Sequence, residues 1–124
     1  MVRSFYVLDE EIISDATGDP IHVIAAGGEI DYAACPQLRA LLNDALESAC
    51  AAVLVDLTGA TFIDSTAIGA LLAAASKLDD LGRRLVIACA GQQILEIFQI
   101  VGLDEIVSIH DSREQAVESV TSIA

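Results

Sequence analysis

The sequence predicts one α/β domain: a mixed, mostly parallel β-sheet of about five strands, opened by a hairpin and covered by about four α-helices. Three observations predict it. Two strand-like runs near the start are separated only by a turn. From there on, short apolar runs alternate with helical periodicities, the order that winds a parallel sheet. The length, 124 residues, suits a single core that buries roughly two-thirds of the surface the unfolded chain exposes.

Each element has its own signal. Ser4 to Leu8 has the aromatic and branched composition of a strand, which Ile12-Ile13 continue past the acidic cluster Asp9 to Glu11. Ala16 to Pro20 marks a turn, and Ile21 to Ala26 reads as the second strand. Gly27 to Asp31 is expected to be a loop, its glycines permitting a sharp change of direction. A helix is expected from about Ala33 to Ala49, with Pro36 tolerated in its first turn and Leu38, Leu41, Leu42, Ala45 and Leu46 as its apolar stripe. Val53 to Leu57 is a buried strand ended by Thr58-Gly59, and a short apolar step, Thr61-Phe62-Ile63, leads into Asp64-Ser65-Thr66. There Ile68, Leu71, Leu72, Ala75 and Leu78 recur at helical spacing until Gly82 caps the helix. Leu85 to Ala90 reads as a strand buried on both faces. A helix opened by Gly91 carries Ile94, Ile97, Phe98 and Val101 up to Gly102, and Ile106 to Ile109 forms a short strand. Asp111-Ser112 starts the last helix, with Glu114 or Gln115 placed as a capping box.

The totals narrow the function. Nineteen acidic residues against six basic ones give a net charge of -13, and such a field repels phosphate backbones and anionic membranes. Neither nucleic acid nor membrane is expected as a partner. Cys35, Cys50 and Cys89 lack C-x-x-C spacing and read as buried free thiols of a reducing compartment. The uncharged stretch Ser65 to Ser76 is too short for a bilayer, and acids interrupt the only early apolar run, so a cytoplasmic protein is expected.

Catalytic motifs are lacking. No G-x-S-x-G surrounds Ser65, neither His22 nor His110 is spaced to serve its hydroxyl, and no Cys/His cluster or phosphate-binding glycine motif occurs. The chain is therefore read as a non-enzyme without cofactor or metal. Asp64 is expected to be the N-cap of the helix, which puts Ser65 and Thr66 in its first turn, where backbone N–H groups and the helix dipole accommodate a phosphate. On these grounds they are equally ordinary polar residues. Beyond them, Gly69, Ala70, Ala73, Ala74 and Lys77 lie on the face away from the apolar stripe. So many small residues mean either close packing on both sides or a flat docking surface, which also leaves a weak homodimer open.

Four segments, in order, resemble the STAS domain family, specifically the bacterial anti-sigma factor antagonists. They are Gly28-Glu29-Ile30-Asp31, Val55-Asp56-Leu57, Phe62-Ile63-Asp64-Ser65-Thr66-Ala67-Ile68-Gly69, and Gly102-Leu103 with the strand and Ala116-containing helix that follow. The eight-residue segment is similar to the family's phosphorylation motif, F-x-D-S-[ST]-G-L-G. The resemblance implies that Ser65, with Thr66 as the alternative, is phosphorylated by a serine kinase that is itself the anti-sigma factor and that brings the ATP. A PP2C-type phosphatase would reverse it. Asp31 and Asp64 correspond to residues beside the switch serine. Ala67 stands where the family commonly has glycine, and its methyl group is expected to bear on the fit to the kinase. Two alternatives accompany this reading. One is a constitutive scaffold of the same fold in which Ser65 is never modified. The other is a receiver-like domain phosphorylated on Asp56 near the acids Asp9 to Glu11, against which stand the initial hairpin and the lack of any lysine after Lys77.

Overall fold

The computed structural model describes residues 6–121. Its elements run β1 (Tyr6–Ser14), β2 (Pro20–Ile30), α1 (Cys35–Glu47), β3 (Ala52–Asp56), β4 (Ala60–Ile63), α2 (Ser65–Asp80), β5 (Arg84–Ala88), α3 (Gln92–Val101), a 3-10 turn (Leu103–Glu105), β6 (Ser108–His110) and α4 (Arg113–Val120). The sheet has the order β1-β2-β3-β5-β6, and β4 adds to β2 beyond the end of β3. Among the described residues, only β1 and β2 pair antiparallel; every other pairing is parallel. The expected fold class is thus present, with one strand more than expected.

Side-chain alternation explains the layers. On β3, Val53 and Val55 face the main core, which they form with Leu38 and Leu42 of α1, Ile68, Leu71 and Leu78 of α2, and Ile94 and Phe98 of α3. Leu54 points the other way, into a smaller core with Ile21, Val23, Val86, Ala88 and Ala116 under α4. A strand with helices on both sides has no polar face to show, which is why β3 is buried at all five positions.

Several expectations need correction. Ser4 and Phe5 of the first expected strand lie outside the described residues, and Asp9 to Glu11 do not interrupt β1 but belong to it. Those acids ride on an edge strand, where charge discourages pairing with another sheet. Gly27 to Ile30 are not loop either. Gly28 adopts φ +78°, and a β-bulge between Gly28 and Glu29 lets β2 bend and continue, pairing Glu29 with Phe62 and Ile30 with Ile63. The step Thr61-Phe62-Ile63 is therefore a true strand, tied at its start by the Gly28 N–H donating to the Gly59 carbonyl at 2.9 Å. Helix α1 is shorter than expected because residues 31–34 form a turn, with the Ala34 N–H donating to the Asp31 carbonyl. The α3 stripe is narrower than its spacing implies, since Val101 is exposed and Ile97 only partly buried.

The ends of α2 follow from local sequence. Asp64 caps its start, as expected. At its end the Gly82 N–H donates to Asp79 and the Arg83 N–H to Leu78, with Gly82 at φ +70°, the paired bonds of a glycine-closed helix. Ser112 caps α4 by accepting from the Gln115 N–H, while the Gln115 side chain accepts from the Asp111 N–H. Among the described residues, no helix is long and apolar enough to cross a membrane.

Candidate functional site

The bend in β2 and the added β4 bring two loops together. Ile30 and Ile63 are register partners, so the residues that follow them, Asp31 and Asp64, emerge side by side, and the Asp64 N–H donates to the Ile30 carbonyl at 3.2 Å. Asp31 turns back on its own loop, one carboxylate oxygen accepting from the Ala33 N–H at 3.0 Å. Asp64 accepts from the Ala67 N–H at 3.0 Å, which satisfies one of the helix's orphan donors. Beneath the pair lies the buried thiol of Cys35, donating to the Asp31 carbonyl. Burial pushes that thiol above its ordinary value, and the charges of Asp64 and Asp31 push the same way against Arg39.

With its cap fixed at both ends, α2 presents Ser65 as its first residue and Thr66 as its second, both exposed. A hydroxyl there meets solvent on one side and the positive end of a 16-residue helix on the other. This arrangement can accept a phosphoryl group without disturbing the core. The neighbouring carboxylates make it a poor place for two further negative charges to be desolvated against a partner.

The expected docking face divides. Gly69, Ala73 and Lys77 are exposed, whereas Ala70 (3% exposed) and Ala74 (4%) are buried, with Ala70 and Ala74 lining the junction with α1 beside Leu42 and Leu46. Close packing therefore explains two of the small residues, because alanine lets the helices approach. It does not explain Gly69, around which a methyl group would meet nothing within 4 Å. Ala67 also needs correction: it is fully buried in the main core, so its methyl group faces inward and not toward a partner.

Sequence reasoning missed two aromatics at this end of the sheet. Tyr32, next to Asp31, is 73% exposed, and Phe62, two residues before Asp64, is 47% exposed. Large aromatics held open beside polar groups are the residues from which protein interfaces draw most of their energy. For Tyr32 the usable signal was an aromatic side chain inside an acidic loop; Phe62, in the apolar step of β4, carried none.

Asp56 and His22 are engaged elsewhere. Asp56 is buried on the α4 side of the sheet, one oxygen accepting from the Thr58 N–H (3.0 Å) and hydroxyl (2.6 Å), the other from Arg113 Nε (2.9 Å). Arg113 also pairs with Glu11, so β1, β3 and α4 are joined by one guanidinium. A phosphoryl acceptor needs an open carboxylate, and both Asp56 oxygens are taken. His22 is buried between Glu10 and Ser48, far along β2 from the Asp31 loop. Cys35, Cys50 and Cys89 are free and buried, as expected. Among the described residues, no group of three His, Cys, Asp or Glu side chains is placed to hold a metal ion.

Comparison with known proteins supplies the context for this geometry. Residues 13–116 match the sequence profile of the STAS domain family. The chain is 24% identical over 102 residues to the anti-sigma-B factor antagonist of Staphylococcus aureus, covering 82% of this chain and 94% of the relative. To that of Staphylococcus epidermidis it is 26% identical over 102 residues, with the same coverage. Among solved structures, a putative anti-sigma factor antagonist of Thermotoga maritima superposes with a TM-score of 0.80 at 18% identity, over 91% of this chain and 93% of that one. The Bacillus cell-fate determinant SpoIIAA in its phosphorylated form superposes with a TM-score of 0.71 at 22% identity, over 93% of this chain and all of that one.

Proposed function

We propose that this chain, which belongs to the STAS domain family, is an anti-sigma factor antagonist switched by phosphorylation of Ser65. Unphosphorylated, it binds an anti-sigma factor and so frees a sigma factor for transcription; phosphorylated, it lets go. The anti-sigma factor is the serine kinase and carries the ATP, and a PP2C-type phosphatase resets the switch, all in the cytoplasm. The observation that carries this reading is the exposed Ser65 hydroxyl at the first position of α2, directly after the Asp64 cap, beside which Asp31 emerges from β2.

The physics of the switch needs no change of fold. A phosphate carries about -1.5 to -2 charges at neutral pH, and burying it unpaired beside two carboxylates costs several kcal/mol, at tenfold in affinity per 1.4 kcal/mol. Tyr32, Phe62 and the exposed strip Gly69, Ala73 and Lys77 supply the contact area around it. Calorimetric titration with the cognate anti-sigma kinase tests the reading: wild type and Ser65→Ala bind, and Ser65→Asp or the phosphorylated protein binds at least a hundredfold more weakly. Equal affinity of the phosphorylated and unphosphorylated forms would leave the constitutive scaffold as the better account.

A further inference from the structure

Six basic residues offset nineteen acids in this chain, and where those cations are used is informative. Arg83 donates to the Ala45 and Leu46 carbonyls at the end of α1, Arg84 to the Ser119 carbonyl, and Arg113 to Asp56 and Glu11. Among the described residues, the side chains of Arg39 and Lys77 are left with no hydrogen bond and no ion pair. They are not scattered. Both line one cavity of about 130 Å³ at the junction of α1 and α2, with Asn43 at its edge and Leu42, Leu46, Ala73 and Ala74 as its apolar walls.

The dimensions and chemistry of this cavity are specific. Small-molecule sites occupy roughly 300–1,000 Å³, so this one has room for a single side chain. Two unpaired cations and a carboxamide over apolar walls match a carboxylate carried on methylene groups. We infer that the α1–α2 cavity receives an acidic side chain, a glutamate or aspartate, from a helical segment of the partner protein that lies along α2. The chain's overall negative charge does not oppose this at contact range, because at physiological salt charges are screened beyond about 8 Å. The occupant is decided by the groups lining the cavity. This inference rests on the reading of α2 as the partner-facing helix, and it is independent of phosphorylation at Ser65.

The test uses the full chain, labelled with nitrogen-15, and two amphipathic helical peptides. One carries glutamate at i and i+4 between leucines, and the other has glutamine in their place. The glutamate peptide is expected to shift the backbone amides of Arg39, Asn43, Ala73 and Lys77, to bind more weakly as salt is raised, and to bind about fivefold more weakly to the Arg39→Ser/Lys77→Ser double variant. Both replaced residues are exposed, and the glutamine peptide imposes the same charge test on the unaltered protein. Equal binding of the two peptides, shifts confined to another face, or tighter binding at higher salt would each overturn the inference. None of these outcomes touches the kinase reaction at Ser65, so the two readings fail separately.

Discussion

Replacing Gly69 by alanine separates what the fold wants from what the partner wants. Gly69 lies in the interior of α2, on its exposed face, and the added methyl group has open space around it. In a helix interior glycine is about 1 kcal/mol less favourable than alanine, and nothing packs here to offset that. The substitution should therefore stabilise the protein by about that amount. For 124 residues the unfolding entropy is about 0.26 kcal/mol/K, so the thermal midpoint should rise by about 4 °C. If the partner approaches the α2 backbone at this point, the same methyl group holds it off, and overpacking of about 1–3 kcal/mol weakens binding on the order of tenfold or more. Thermal unfolding followed by circular dichroism reads the first effect and calorimetric titration with the anti-sigma kinase the second. A lower midpoint would refute the claim of open space. A higher midpoint with unchanged affinity would remove Gly69 from the interface.

Two further outcomes follow from the geometry. Burial pushes the Asp56 carboxyl up, but the Thr58 hydroxyl and N–H together with Arg113 outweigh it and hold it below its ordinary value of 3.8. A group lowered in the folded state contributes stability that is complete above its unfolded value and is withdrawn as pH falls through the folded one. Midpoints of wild type and Asp56→Asn, measured from neutral pH downward, should therefore converge below pH 3.8, and curves that stay parallel there would contradict the ion-pair account. Ala67→Gly removes a buried methyl group and adds backbone freedom, so it should lower stability by about 1–2 kcal/mol and leave kinase affinity within twofold. A large change in affinity with unchanged stability would return Ala67 to the partner surface.

The layered fold was legible because periodicity carries burial. Val53 to Leu57 reads as fully buried and is, and the stripe of Ile68, Leu71 and Leu78 faces the core. The Asp64 cap was equally legible, being a matter of a carboxylate placed before a helix. The bulged course of β2 was not, since a Gly-Gly pair signals a turn and a bulge alike, and only the pairing of Gly28 to Ile30 with β4 distinguishes them. Alanine was the other blind spot. Ala67, Ala70 and Ala74 are buried and Ala73 exposed, because a methyl group suits a tight junction and an open surface equally well. Long-range pairs such as Asp56 with Arg113 have no local signal, and the two unpaired cations of the α1–α2 cavity emerge only when the other cations of the described residues, Arg83, Arg84 and Arg113, have been placed.

The central claim is that Ser65 is the phosphoryl acceptor. Incubation of the purified chain with the cognate anti-sigma kinase and ATP, followed by peptide mass spectrometry, tests it most directly. The account predicts one phosphate, on Ser65, retained in Thr66→Ala and lost in Ser65→Ala. Phosphate that persists in Ser65→Ala and disappears in Thr66→Ala, or acid-labile phosphate that depends on Asp56 and forms from acetyl phosphate, would contradict it.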